Sequence, residues 1–80
     1  MDIKKKTLEI LANITGQPTE TITPEMDLVA QLNIDSPKQL QLLVELEEAF
    51  DIEIEDDDAA KMNSVNDVLE YLEARGLATA

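Results

Sequence analysis

The chain contains no cysteine, no histidine and only two aromatic residues, Phe50 and Tyr71. Without cysteine it has neither a disulfide framework nor a thiolate metal site. Without histidine it can assemble neither a Ser–His–Asp nucleophile nor an imidazole-based metal site. Carboxylates alone can do acid–base work in a cleft. A chain of 80 residues, however, has little core to spare for a deep active site, so catalysis by this chain alone is not expected. Basic residues are also scarce: 6 Lys and Arg face 18 Asp and Glu, for a net charge of -12. Such a surface repels nucleic-acid phosphates and suits partners with basic patches. The opening MDIKKKTLEI carries lysines but no apolar segment long enough for a signal peptide, and no apolar run approaches bilayer length. A cytoplasmic protein without membrane insertion is expected. Nothing in the pattern signals an obligate oligomer, so a monomer is expected too.

Apolar residues make up 44% of the chain, too many for a disordered acidic tail. Residues 3 to 15 repeat apolar positions at helical spacing, with Ile3, Ile10 and Ile14 on one side, Leu11 widening it and Leu8 farther round. Asp2 is placed to cap this helix and Gly16 to stop it. About twenty residues with Pro18 and Pro24 follow, a loop that must be functional or pinned by its own side chains. Ile22, Met26, Leu28, Leu32 and Ile34 are the candidate pins, with a short helical turn over Met26 to Leu32. A second helix is expected from Ser36 to Phe50, its core face formed by Leu42, Leu43, Leu46 and Phe50. A short helix over Asp57 to Lys61 suits its acidic start to the helix dipole. Ser64 then caps a last helix, with Asp67 completing a weaker capping box. Val65, Val68, Leu69 and Leu72 form its buried stripe, and Gly76 ends it. The expected fold is all-α: a small four-helix bundle of three main helices plus one short one, as a single domain over residues 1–80, with a long loop between the first and second helices.

The charge is concentrated. Asp35 to Asp58 holds ten acidic residues against Lys38 alone, for a net -9. On the second helix, Leu40, Val44, Glu47 and Asp51 form a stripe between the core face and the polar face of Gln41, Glu45 and Glu48. Leu40 and Val44 either widen the core or form an exposed apolar spot rimmed with carboxylates, the composition of a docking site. At the helix mouth, proline at 37 suits a first helical position, which makes Ser36 a natural N-cap. The same geometry offers unpaired N–H groups and a positive dipole end to an attached phosphate. With no histidine to activate it, Ser36 would receive chemistry done by another protein. A kinase reading a Ser-Pro pair would be one such agent.

The segment Leu32 to Phe50, LNIDSPKQLQLLVELEEAF, resembles the prosthetic-group region of acyl carrier proteins, which place Asp-Ser-Leu at the start of the second helix and follow it with an acidic face ending Leu-Glu-Glu-x-Phe. The similarity extends to Leu28-Val29-x-x-Leu32, Ile52-x-Ile54 and DDDAAKMNSVNDVLEYL, most of the chain. The resemblance implies that Ser36, beside Asp35, carries 4'-phosphopantetheine through a phosphodiester added by a phosphopantetheinyl transferase. The arm's thiol would hold acyl groups as thioesters. Pro37, Leu40, Val44, Glu47 and Glu48 would be read by acyl-transfer, condensing and modifying enzymes through basic docking patches. Encounters steered by charge are fast, transient and salt-sensitive. The acyl chain would slip between the helices into a core lined by residues such as Leu46 and Ile54.

The chain departs from the family pattern where partners would read it. Pro37 replaces the customary leucine, Lys38 and Gln41 stand where acidic residues are common, and Asn33 replaces a glycine. These differences suggest a dedicated carrier for a specialised acyl or polyketide-like product rather than housekeeping fatty-acid synthesis. A peptidyl or aryl carrier is the nearest alternative, although the glycine-rich lead-in of such domains is missing from NIDS. A calcium loop starting at Asp51 fails, because Asp56 and Met62 occupy its glycine and glutamate positions; loose divalent binding stays open. An acidic helical interaction module, with Ser36 only a cap, is the remaining rival.

Overall fold

The computed structural model describes residues 2–76. Its four helices are α1 (Ile3–Thr15), α2 (Ser36–Phe50), α3 (Asp56–Ala59) and α4 (Val65–Ala74). No strand forms among the described residues, and a single isolated bridge joins Asp27 to Ser64. No described helix is long and apolar enough to cross a membrane.

In α1 the i, i+4, i+7 spacing puts Ile3, Thr7, Ile10, Leu11 and Ile14 on the buried side. The Asp2 carboxylate accepts the Lys5 N–H, and Gly16, at φ 77°, ends the helix by donating to the Ala12 carbonyl. A left-handed residue at this position is where glycine avoids the Cβ penalty. Lys4, Lys5 and Lys6 lie at the dipole's positive end, and isoleucine and threonine are only moderate helix formers, so packing against α2 and α4 must hold α1 in place. Thr7 is the one fully buried polar side chain among the described residues, and its hydroxyl has no hydrogen-bond partner.

The loop from 16 to 35 is pinned largely as its apolar residues suggest: Ile22, Leu28, Leu32 and Ile34 are buried and Met26 half-buried. It holds one 3-10 turn at Thr19–Thr21. The expected helical turn over Met26 to Leu32 is a single turn starting at Asp27, which stops short of a helix. The Gln31 N–H donates to the Asp27 carbonyl, while the Asp27 carboxylate accepts from Val29 and Ala30. Asn33 then turns left-handed at φ 57° and ends it. Asparagine is among the few side chains that tolerate this region, which explains how it can stand where a glycine is usual. Main-chain bonds tie the loop to the start of α4: Leu28 N–H to the Asn63 carbonyl, Val65 N–H to Met26 and Asn66 N–H to Pro24.

Helix α2 buries Leu42, Leu46 and Phe50, while Leu43, expected in the core face, is half-buried at its edge. The short helix starts one residue before the expected Asp57 and ends at Ala59, with Ala60 and Lys61 forming a turn. Asp56, Asp57 and Asp58 fill its first turn, where the dipole favours them. At α4 the full capping box forms, and Val65, Val68, Leu69 and Leu72 are all buried. Arg75 and Gly76, the latter at φ 88°, close that helix after Ala74.

Candidate functional site

The mouth of α2 differs from the expectation by one residue. Asp35, not Ser36, is the N-cap: its carboxylate accepts the Lys38 N–H at 3.1 Å and its carbonyl accepts the Gln39 N–H at 2.8 Å. Ser36 is the first helical residue and Pro37 the second. Both are exposed. Two adjacent cap-competent residues compete here, and the charged one wins because its bond is charge-assisted and its charge faces the positive dipole end. Proline is equally tolerated one place further in, since N–H groups in the first turn have no intrahelical partner. The Ser36 hydroxyl is consequently left with no hydrogen bond to any described residue.

This arrangement also corrects the idea of a phosphate cradle. One first-turn N–H is missing at Pro37, another is taken by Asp35, and the Asp35 carboxylate occupies the dipole end itself. What remains is an exposed, unengaged primary hydroxyl on a rigid helix start. That geometry fits a group attached covalently and projecting outward, and the lack of cysteine means that any thiol must arrive with the group.

Beyond Ser36, steps of four residues carry the same face to Leu40 and Val44, about 12 Å along the axis. The structure decides between the two readings of these residues. Leu40 is 64% and Val44 43% exposed, so they do not extend the core. Val29, on the preceding loop, is also 64% exposed. Sequence reading did not single it out for a role, although it lies off the Leu28–Leu32 spacing that buries its neighbours. Glu48 is exposed, but Glu47 is half-buried and its Oε2 accepts the Ile54 N–H at 2.9 Å. Leu46 is fully buried, and Ile54 is half-buried against the core. Ile54 also lines an open cleft of about 430 Å³ with Glu47, Glu53, Glu55 and Asp56. Among the described residues no group of three or more acidic side chains converges as a metal site.

A family model described as a phosphopantetheine attachment site matches residues 5–72. The acyl carrier protein of Desulforapulum autotrophicum is 44% identical over 73 residues, covering 90% of this chain and 95% of that protein. The acyl carrier protein of Syntrophobacter fumaroxidans is 45% identical over 67 residues, covering 84% and 83%. The chain belongs to the acyl carrier protein family. Its fold agrees: a solved structure assigned as an acyl carrier protein from Mycobacterium tuberculosis superposes with a TM-score of 0.85 at 32% identity, over 90% of this chain and 96% of that one. As a family member it carries covalent 4'-phosphopantetheine, whose thiol holds acyl groups as thioesters. An acyl carrier protein of this kind works with a phosphopantetheinyl transferase and with biosynthetic enzymes.

Proposed function

We propose that the phosphopantetheine arm is attached at Ser36 and that the chain acts as a single carrier domain, a cytoplasmic monomer that carries acyl groups without catalysing their conversion. The observation behind this reading is the Ser36 hydroxyl, exposed and unbonded because Asp35 has taken the cap. Asp35 then has two uses: it fixes the helix start and presents a carboxylate beside the attachment point. Leu40 and Val44, apolar and exposed on the Ser36 face, would meet the apolar centre of a docked enzyme, with Glu48 supplying charge at the rim. Pro37 beside the hydroxyl, with Lys38 and Gln41 on the same helix, would select the transferase and the enzymes served. We assign those enzymes to a specialised fatty-acid- or polyketide-type pathway. Leu46 and Ile54 would line the space that shelters the acyl chain.

The test is intact mass after incubation with coenzyme A and phosphopantetheinyl transferases of broad and narrow specificity. Wild type should gain one phosphopantetheine and Ser36→Ala none, with both folded by circular dichroism. Modification of Ser36→Ala, or a folded wild type refused by every transferase, would overturn the assignment.

A further inference from the structure

Val29, Leu40 and Val44 are the large apolar side chains left exposed among the described residues. Leu40 and Val44 belong to the face of α2 that begins at Ser36. Val29 belongs to the loop, where a set of bonds holds it still. The Asp27 carboxylate accepts the Val29 N–H at 3.1 Å and the Ala30 N–H at 2.7 Å, and the Gln31 side chain accepts the Asp27 N–H at 2.8 Å. The Val29 carbonyl accepts the Asn33 N–H at 3.2 Å, and the Leu28 N–H donates to the Asn63 carbonyl. A lone apolar side chain on a surface is ordinary. This one is displayed on a turn whose main chain is bonded on both flanks, while its side chain gives the fold little.

The loop's closure brings Val29 to the attachment end of the molecule. The Leu28 carbonyl accepts the Ile34 N–H at 2.9 Å, and Ser36 follows two residues later. That bond and the fixed length of the chain put the Cα atoms of Val29 and Ser36 no more than about 16 Å apart. On the α2 side, one turn of about 6 Å separates Ser36 from Leu40. A docked protein covering about 800 Å² is wide enough to span both sides of Ser36 at once.

We infer that Val29 is a specificity-determining residue for the phosphopantetheinyl transferase, an apolar contact on the loop side of the hydroxyl that only this enzyme must reach. The inference rests on the proposed attachment at Ser36. In loading, the Ser36 oxygen bonds to the phosphorus that carries pantetheine in coenzyme A and the pyrophosphate P–O bond breaks. Adenosine 3',5'-bisphosphate leaves, and the serine proton is released. The transferase therefore has to enclose the root of the arm, loop side included. An enzyme that works on the acyl group meets the arm's far end and can dock on the α2 face alone. The chemistry that fits Val29 is an uncharged apolar spot beside the transferase's basic patch, since Ala30 next to it is apolar and exposed as well. A contact presented this rigidly costs little ordering when it docks.

The test is the kinetics of loading from coenzyme A by the transferase that loads wild type fastest, with the carrier as varied substrate. Neutral replacements are used, because a new charge would alter steering by itself. Val29→Ser and Val29→Gln should each raise KM about tenfold with kcat nearly unchanged, as loss of a contact made equally in ground and transition state does. Val29→Ile should load like wild type, and thermal melts of all the variants should coincide with wild type. The second measurement takes wild type and Val29→Ser, each fully loaded by prolonged incubation, and has an ATP-dependent acyl carrier protein synthetase join octanoate to the arm thiol. Its rate should be the same for both. An unchanged loading KM, or a fall in kcat alone, overturns the role of Val29. An equal loss in the synthetase reaction overturns the assignment to the transferase, since every partner would then read this residue. A wild type that takes up no arm overturns the carrier reading, and the role of Val29 with it.

Discussion

Two serines stand at helix starts in this molecule, and they are used in opposite ways. Ser64 is the N-cap of α4, its hydroxyl accepting the Asp67 N–H at 3.2 Å while the Asp67 carboxylate accepts the N–H groups of Asn63 and Ser64. Ser36 stands one position later in its helix, at N1, because Asp35 has the capping role. A shift of one residue in capping register separates a hydroxyl consumed by the fold from one with no hydrogen bond to any described residue. Under the proposed attachment at Ser36, the displaced cap leaves a hydroxyl that is rigidly placed and engaged by no contact of the fold.

The largest expected effect exchanges the two serines' roles. Ser36→Ala should abolish phosphopantetheine loading and leave stability within about 0.5 kcal/mol, as exposed substitutions usually do. Ser64→Ala should load fully. It should also lower stability by about 1 kcal/mol in a denaturant melt, because a cap bond is lost. Loading lost in Ser64→Ala and retained in Ser36→Ala would invert the comparison.

The next effect is smaller and turns one serine into the other. Ser36 is followed three residues later by Gln39, so it has the makings of a capping box of its own. In Asp35→Ala the vacated cap should pass to Ser36. Stability should then fall by less than in Ser64→Ala, by a few tenths of a kcal/mol, and loading should slow because the hydroxyl is engaged. Asp35→Asn keeps an oxygen at the cap and should restore loading if capping register is what matters. If Asn loads as slowly as Ala, the transferase reads the charge of Asp35 itself.

The same pair marks how much of this molecule could be read from its sequence. The Ser64–Asp67 box was legible because all its partners lie within four residues, and the α4 stripe and the Asp2 and Gly16 ends of α1 were legible for the same reason. The Ser36 cap was displaced because pattern rules score each candidate cap separately, whereas Asp35 and Ser36 compete. The helical wheel left Leu40 and Val44 undecided, since a face wide enough to reach them is compatible with either core or surface, and only the placement of α1 and α4 settles it. The Glu47–Ile54 bond spans seven residues and depends on the left-handed turn at Asp51, which no periodicity encodes. The resemblance of Leu32 to Phe50 to acyl carrier proteins gave the carrier function in outline, and the family match and the fold agree with it.

The smallest expected effect lies in acid and concerns the box alone. Hydrogen bonds from the Asn63 N–H, then from the Ser64 N–H, hold the Asp67 carboxyl below its ordinary 3.8. A carboxyl with a depressed folded value stabilises the fold fully above its unfolded value and loses that contribution as pH falls through the folded one. Comparing wild type with Asp67→Asn should therefore show a constant small advantage for wild type at neutral pH, closing only below about 3.8. Acid also discharges the rest of a chain carrying -12 and relieves its self-repulsion, but that change is nearly common to both proteins. The difference between their denaturant midpoints, measured from pH 7 to pH 2, isolates the box. A gap that shows no narrowing as pH falls from about 3.8 to 2 would mean that shape, not charge, is what Asp67 contributes to capping α4.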